Sequence, residues 1–566
     1  MPGTVSISGG EALARTLAAS GIRHVFGVPA GKLGPFMAAL AAAPDGPRWI
    51  GARHEAAAAW MAAASFQAGA GVAACSGESG PGSHNLVGGL GSARANNLAV
   101  LALTPGAPSH LAYPFEGMTM DSDNLALFAP VTKWNAVVRE PGRIPSLVRR
   151  ALREALTGRP GPVHLEVPAD VLARTAELDP DELDAPLERF LPSGRACADD
   201  GAVERAAALL AAAERPLVIS GGGVAVSDAA DALRAVVERT GAAATATQMG
   251  IGTVPTDGAW FVGHGGVIGG EAVVRALTEA DVVLAVGCRF SSWLWCGPGE
   301  GVRGRPEQEL IQVDVDPAAI GAYRPVSAGL CGDARAVLEQ LLGALGEAAR
   351  PPSAWVEGLV AEHRAYLDGL RALGLGDAVM HPAQLTGALA AALPSDALLV
   401  YDGGQTTFWS NDLIPATAPR TRFHEPGMAH LGFGTPYANA LALLHPGRPV
   451  VQITGDGGFG FTVQELDTAR RLGLAPVHVI HDNAAWGVIR LGQSRAGFEL
   501  GTDLEGTDYA AVARAFGCHG ERIERTEEVA PALERALASG LPSVIDAAVS
   551  LAPHPGLPRF AATGRR

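Results

Sequence analysis

Residues 450–490, VVQITGDGGFGFTVQELDTARRLGLAPVHVIHDNAAWGVIR, constrain the fold more tightly than any other part of the chain. An apolar, β-branched run ending in Ile453 reads as a buried strand. Gly455, Asp456, Gly457 and Gly458 then form a turn that glycine backbone negotiates with little steric cost. A helical segment follows, with Phe461, Leu466 and Leu472 near helical spacing. A second apolar strand, 476–480, ends at Asp482 and Asn483. A strand–helix–strand unit of this length forms a right-handed parallel crossover. It brings Asp456 and Asn483 to the carboxyl ends of neighbouring strands, where open α/β sheets bind ligands. One carboxylate oxygen, one amide oxygen and a backbone carbonyl suit Mg2+, which keeps room for phosphate oxygens. Glycine N–H groups and a helix N-terminus suit the phosphates themselves. A lone Gly-Asp-Gly is a common turn; the asparagine one crossover later gives it meaning.

The segment resembles the diphosphate-binding motif of thiamine-diphosphate (ThDP) enzymes, in which Gly-Asp-Gly is followed by an Asn-Asn pair. Here the pair is Asp482-Asn483, so its first member departs. The flanking QELDTARR and WGVIR resemble the acetolactate synthase, pyruvate oxidase and benzoylformate decarboxylase family. The resemblance implies a metal held by Asp456, Asn483 and the carbonyl of Ala485, and three α/β domains with parallel sheets. These would be a pyrimidine-binding domain (1–175), a Rossmann-like central domain (201–346) and a diphosphate-binding domain (377–550), followed by a tail (551–566).

Composition agrees with that size. A chain of 566 residues holds about three domains. A net charge of -15 argues against nucleic acid and anionic membranes as partners. No apolar run reaches the roughly 20 residues of a membrane span, and MPGTVSISGG lacks a signal pattern. Six scattered cysteines without ligand spacing read as small buried thiols in a reducing compartment, which points to a cytoplasmic protein.

In the first domain, strands in HVFGVPAG, VAACS, NNLAVLALTPG and GPVHLEVP alternate with helices, the signature of a parallel sheet. Glu55 heads the helix-forming run EAAAAWMAAAS. Taken alone it would favour the helix dipole. By resemblance it is the catalytic glutamate that hydrogen-bonds N1′ of the aminopyrimidine, and such a residue is expected to be partly desolvated. The run Ser76-Gly77-Glu78-Ser79-Gly80-Pro81-Gly82-Ser83-His84-Asn85 resembles the loop lining the pyrimidine end of the site. His84 is either a substrate-facing acid/base or a polar surface residue.

The central domain keeps Gly221, Gly222 and Gly223, a Thr247-Gln248-Met249 segment, His264-Gly265 and Arg289-Phe290. Flavin-binding relatives use such residues for FAD, but Ser291, Ser292 and Trp293 replace their Asp-Asp-Arg. FAD and an empty supporting domain both remain readings. In the third domain, the strand in ALLVYDGG leads to Gly404, Gln405 and Thr406, resembling a diphosphate-touching turn that often carries His where Thr406 stands. Leu431 precedes Gly432-Phe433-Gly434 and matches the apolar wedge that bends the cofactor, with the Ala429 carbonyl facing its 4′-amino group. Leu431 as ordinary core is the alternative. The tail reads as a loose segment or as a lid over the site.

Such enzymes decarboxylate a 2-oxo acid, and the resemblance implies an acyl transfer, from pyruvate first among the donors, to a carbonyl acceptor. Release of an aldehyde is the alternative, and an inactive cofactor-binding homologue a third. Three departures bear on substrate. Gly492 aligns with a tryptophan of acetolactate synthases, Met120 with a glutamine, and Lys32 with a small residue. Lys32 either forms a surface salt bridge or meets an anionic substrate; His430, beside the wedge, is a further candidate. The resemblance also implies a homodimer or homotetramer with active sites at the subunit interface.

Overall fold

A computed structural model describes residues 3–112, 118–266, 269–291, 294 and 307–558. By contacts the chain forms two compact units. One comprises Met1–Gly194, Gly427–Pro446 and Thr462–Leu474; the other comprises Arg195–Pro426, Gly447–Phe461 and Ala475–Arg566.

The first unit opens with β1 (Val5–Ser8). The helix Gly9–Ala19 that follows is capped reciprocally by Ser8 and Glu11. Its parallel sheet contains β2 (His24–Gly27), β3 (Arg48–Gly51), β4 (Ala73–Ser76), β5 (Val100–Gly106), β6 (Trp134–Val137) and β7 (Val163–Pro168). The order is β3-β2-β4-β5-β7-β6. β8 (Thr175–Leu178) returns antiparallel to β1. Strands β4, β5 and β7 are buried along their whole length, as apolar strands covered on both faces must be.

The alanine-rich helix Glu55–Gln67 is buried from Glu55 to Ser65. Small side chains let it approach the helix Pro81–Asn96 closely. A Cβ added at Gly89 would lie 2.6 Å from the Ala59 Cβ and 2.8 Å from the Ala56 carbonyl. This contact leaves no room for a larger residue.

The second unit holds two further six-stranded parallel sheets. The central one is built from β9 (Pro216–Ser220), β10 (Ala243–Ala246), β11 (Phe261–His264), β12 (Val282–Val286), β13 (Glu309–Asp314) and β14 (Ala328–Cys331). Its order is β11-β10-β9-β12-β13-β14. The other contains β15 (Leu398–Asp402), β16 (Arg422–Phe423), β17 (Val450–Gly455), β18 (Val477–Asp482), β19 (His519–Ile523) and β20 (Ser543–Ala548), in the order β16-β15-β17-β18-β20-β19. The α/β reading with three parallel sheets therefore holds.

Several details differ from the sequence reading. β17 and β18 each continue two residues beyond the expected ends, and the glycine run is the start of a short helix, Asp456–Gly460, rather than a free turn. That helix stops before Glu465–Leu472 begins, so Phe461 and Leu466 share no helical face: Phe461 is 54% exposed and Leu466 buried. Of the cysteines, Cys75, Cys288 and Cys518 are buried, but Cys197 and Cys331 are exposed; Cys296 lies outside the described residues. The start of the tail is packed rather than loose. His554 and Leu557 are buried, and Leu557 clusters with Phe408. Residues 559–566 lie outside the described residues. Among the described residues no helix is long and apolar enough to cross a membrane.

Gly89→Val is expected to lower stability by about 1–3 kcal/mol through overpacking, read as a fall in thermal midpoint. An unchanged midpoint would show that the two helices separate freely.

Candidate active site

Glu55 is the first residue of its helix, and the His54 ring accepts from the Ala56 N–H at 3.1 Å to cap it. Its side chain is only 8% exposed. Asn85 donates to Oε2 at 3.0 Å. The glycine loop after β4 closes over the carboxyl group: a Cβ at Gly77 would fall 2.7 Å from Glu55 Cγ, and one at Gly82 2.9 Å from Oε1. Only glycines allow this approach.

Four substrate candidates cluster nearby in the same unit. Lys32 Nζ donates to the Met120 carbonyl at 2.7 Å and pairs with Glu78 at 3.6 Å, with only 10% of its side chain exposed. Its salt bridge is therefore largely buried rather than on the surface. Glu78 also accepts from the backbone N–H groups of Lys32 and Ser79. Met120 holds a left-handed backbone, φ 56°, and is half exposed. His84 is exposed, its Nδ1 2.7 Å from the Gly80 carbonyl. His430 packs edge-on against Trp60 at 4.9 Å, and its Nδ1 lies 3.0 Å from the Leu431 carbonyl. Leu431 is half-buried; Ala429 is exposed, with φ 53°.

The second unit assembles the other candidates at the carboxyl edge of β15, β17 and β18. Gly403, at φ 107°, starts the helix Gly404–Leu413, so Gly404, Gln405 and Thr406 form its first turn. Gln405 Oε1 accepts from the His554 N–H at 2.8 Å. Thr406 is buried, its hydroxyl beside Gly403 and Gly455. Asp456 begins the helix after β17 and is 4% exposed. Its carboxylate accepts from the N–H groups of Gly457 at 2.9 Å and Ala485 at 3.2 Å. Burial pushes its pKa up to about 7, with Asp482 adding repulsion. Gly457 lies against Trp486, whose ring would be 2.6 Å from an added Cβ.

After β18 the chain turns through Asn483, Ala484 and Ala485, with Ala484 at φ 50° and its N–H donating to Asp482 Oδ1 at 3.1 Å. Asn483 Oδ1 is buried without a hydrogen-bond partner among the described residues. An unanswered amide oxygen beside a carboxylate whose charge is disfavoured fits a divalent cation, which would satisfy both. Gly492 is exposed on the helix Gly487–Arg495, with open space where a side chain would stand. It lines a cavity of about 280 Å³ with Val488, Ile489, Gln493, Phe498 and Leu557.

Three family models match the chain. Those described as the N-terminal TPP binding, central, and C-terminal TPP binding domains of thiamine pyrophosphate enzymes match residues 7–127, 203–341 and 402–547. A probable acetolactate synthase large subunit of Methanocaldococcus jannaschii is 32% identical over 99% of this chain and 94% of its own length. The acetolactate synthase isozyme 2 large subunit of Escherichia coli is 31% identical over 96% of each chain. A probable 2-ketoarginine decarboxylase of Pseudomonas aeruginosa is 34% identical over 94% of this chain and 92% of its own length. The chain belongs to the ThDP-dependent enzymes of the acetolactate synthase and pyruvate oxidase family. Thiamine diphosphate is therefore its cofactor.

Flavin finds less support in the second unit. An added Cβ at Gly221 or Gly223 would strike the Gly287 backbone at 2.0 or 2.7 Å, and one at Gly222 would strike Met249. Close backbone packing accounts for these glycines without FAD. Ser292 and Trp293 lie outside the described residues.

Two supporting carboxylates escaped the sequence reading. Glu465 is fully buried; it accepts from the Arg53 N–H at 3.1 Å and the Thr468 hydroxyl at 2.6 Å, and burial pushes it up to about 7. It fixes the turn ahead of Glu55. Glu78 ties the loop after β4 to Lys32. Both lie in runs that the family resemblance covers, but neither residue stands out there, since each acts through a backbone group distant in sequence.

Gly457→Ala would force the diphosphate-side turn off Trp486. With a cost of about 1–3 kcal/mol carried by the cofactor-bound form, ThDP binding is expected to weaken by about five- to 150-fold, measured by titrating the cofactor-free protein. Unchanged affinity would remove this turn from the cofactor site.

Proposed function

We propose that the chain is a ThDP- and Mg2+-dependent carboligase that decarboxylates a 2-oxo acid, pyruvate first among the candidates, and transfers the acyl unit to a carbonyl acceptor. The observation that carries this reading is end-to-end similarity to acetolactate synthase large subunits in a chain that retains Glu55, Asp456 and Asn483. When bound, the cofactor supplies a nucleophilic carbon and an electron sink for decarboxylation. Asp456, Asn483 and the Ala485 carbonyl would hold Mg2+, supplying positive charge for the diphosphate. Gly404, Gln405, Thr406, Gly455, Gly457 and Gly458 line the diphosphate with backbone and side-chain donors.

Glu55 moves the proton at the pyrimidine ring nitrogen, and its desolvation suits that exchange. Leu431 and the Ala429 carbonyl orient the ring. Lys32, His84, Met120, His430 and Gly492 are substrate-side candidates. The open, apolar surroundings of Gly492 support a side chain larger than a methyl group on the donor or the acceptor. FAD forms no part of this proposal. The enzyme works in the cytoplasm as a homodimer or homotetramer, with pyrimidine-side and diphosphate-side groups contributed by different subunits.

A non-oxidative decarboxylase releasing an aldehyde is the second reading, favoured by the similarity to a probable 2-ketoarginine decarboxylase. Incubation with ThDP, Mg2+ and pyruvate, with and without added aldehydes, separates the two when products are followed by mass spectrometry. A ligated product is expected. Free aldehyde alone would overturn the carboligase in favour of the decarboxylase. Glu55→Gln is expected to slow turnover about 100-fold or more while still binding ThDP; full activity would remove Glu55 from catalysis.

Protons compete with the cation at Asp456, whose folded pKa is raised to about 7. Cation affinity is therefore expected to fall as pH drops through that value, by about tenfold between pH 8 and pH 6. Mn2+ titration at the two pH values checks this; an unchanged constant would contradict it.

A further inference from the structure

Three carboxylates converge at the carboxyl edge of β17, β18 and β20: Asp456, Asp482 and Asp546. Asp482 and Asp546 expose only 3% and 0% of their side chains. Two adjacent buried carboxylates without a cation would be strongly disfavoured. The register supplies one from the edge strand. Arg522 on β19 lies opposite Asp546 on β20, and β20 pairs Asp546 with Ile480, two residues before Asp482. Arg522 Nη1 thereby donates to Asp546 Oδ2 at 2.8 Å and to Asp482 Oδ2 at 3.0 Å.

The other side of this cluster faces the candidate cation site. Asp482 Oδ1 accepts from Ala484 N–H and so holds the left-handed turn that carries Asn483 and Ala485. Ala485 N–H in turn donates to Asp456 Oδ2. Tyr509 closes the frame: its N–H donates to Asp546 and its hydroxyl to the Asp456 carbonyl. A continuous set of hydrogen bonds thus runs from Arg522 through Asp482 and the turn to Asp456. An asparagine at 482 could hold the same turn through its oxygen without requiring a cationic partner; the aspartate here creates the need that Arg522 meets.

We propose that Arg522 is a positioning residue for the cation site, holding Asp482 and through it the turn that presents Asn483 and Ala485 alongside Asp456. This rests on the reading of Asp456, Asn483 and Ala485 as cation ligands. Outer-shell partners of this kind are worth roughly 10- to 100-fold in metal affinity.

The test measures Mn2+ binding to full-length protein in the presence of ThDP, by electron paramagnetic resonance of free Mn2+. Far-UV circular dichroism and thermal unfolding of the cofactor-free proteins run in parallel. Arg522→Gln is expected to bind Mn2+ roughly 10- to 100-fold more weakly than wild type, and Asp482→Asn combined with Arg522→Gln to recover most of that loss. A residue serving stability alone would lower the thermal midpoint and leave Mn2+ affinity unchanged, which would overturn the proposal. So would a double variant as weak as Arg522→Gln. If Arg522→Gln does not fold, Arg522→Lys carries the test: it keeps the charge but loses the rigid fork. Weaker Mn2+ binding supports the proposal and wild-type binding overturns it. Wild-type protein that binds no Mn2+ would instead overturn the cation-site reading itself.

Discussion

The candidate cofactor edge of the second unit is built around a carboxylate held almost wholly out of water. Raising Asp456 from an ordinary aspartate value to about 7 means that carrying its charge within the fold costs about 4 kcal/mol. Parallel sheets make such placement feasible. The ends of β17 and β18 lie side by side, so backbone N–H groups from Gly457 and Ala485 converge on the carboxylate without needing side chains. The same convergence leaves Asn483 Oδ1 buried and without a partner among the described residues. In the proposed role, such a site would be organised before a cation binds, sparing it reorganisation during chemistry.

Glu55 rests on a different physical device. Instead of opposing charges, small residues allow backbone and carboxylate to approach. Gly77 and Gly82 touch Glu55 itself, while Gly89 draws the helix Pro81–Asn96 against Ala56 and Ala59. The alanine-rich helix is thus a rigid mount, and the buried Glu465 fixes the backbone just before it. Electrostatic organisation on one side and close packing on the other both hold a few polar atoms in fixed positions at low local dielectric.

Much of this was legible in sequence because the relevant signals are local. Apolar runs ending in glycine located β4, β5, β15 and β17, a run ending in Asp482-Asn483 located β18, and the separation of Asp456 from Asn483 matched one crossover. Asp456 reads as the start of a turn in sequence, yet it begins a helix, since Gly-Asp-Gly permits both conformations and packing against Trp486 selects one. Phe461 appeared to continue an amphipathic helix until the break before Glu465 removed the shared face. His554 sits in a Pro- and Gly-rich stretch that reads as a loose tail, but its backbone bond to Gln405 and contact with Trp409 anchor it. Arg522 and Glu465 were invisible for a common reason: they act through partners many residues away, which no local pattern encodes.

The most direct measurement is a crystal structure of the protein grown with ThDP and Mn2+, with data collected at the manganese absorption edge. An anomalous peak is expected within coordination distance of an Asp456 carboxylate oxygen, Asn483 Oδ1 and the Ala485 carbonyl, adjoining the cofactor's diphosphate. A peak elsewhere, or cofactor bound without density at those three oxygens, would contradict the account of how this chain holds its cofactor.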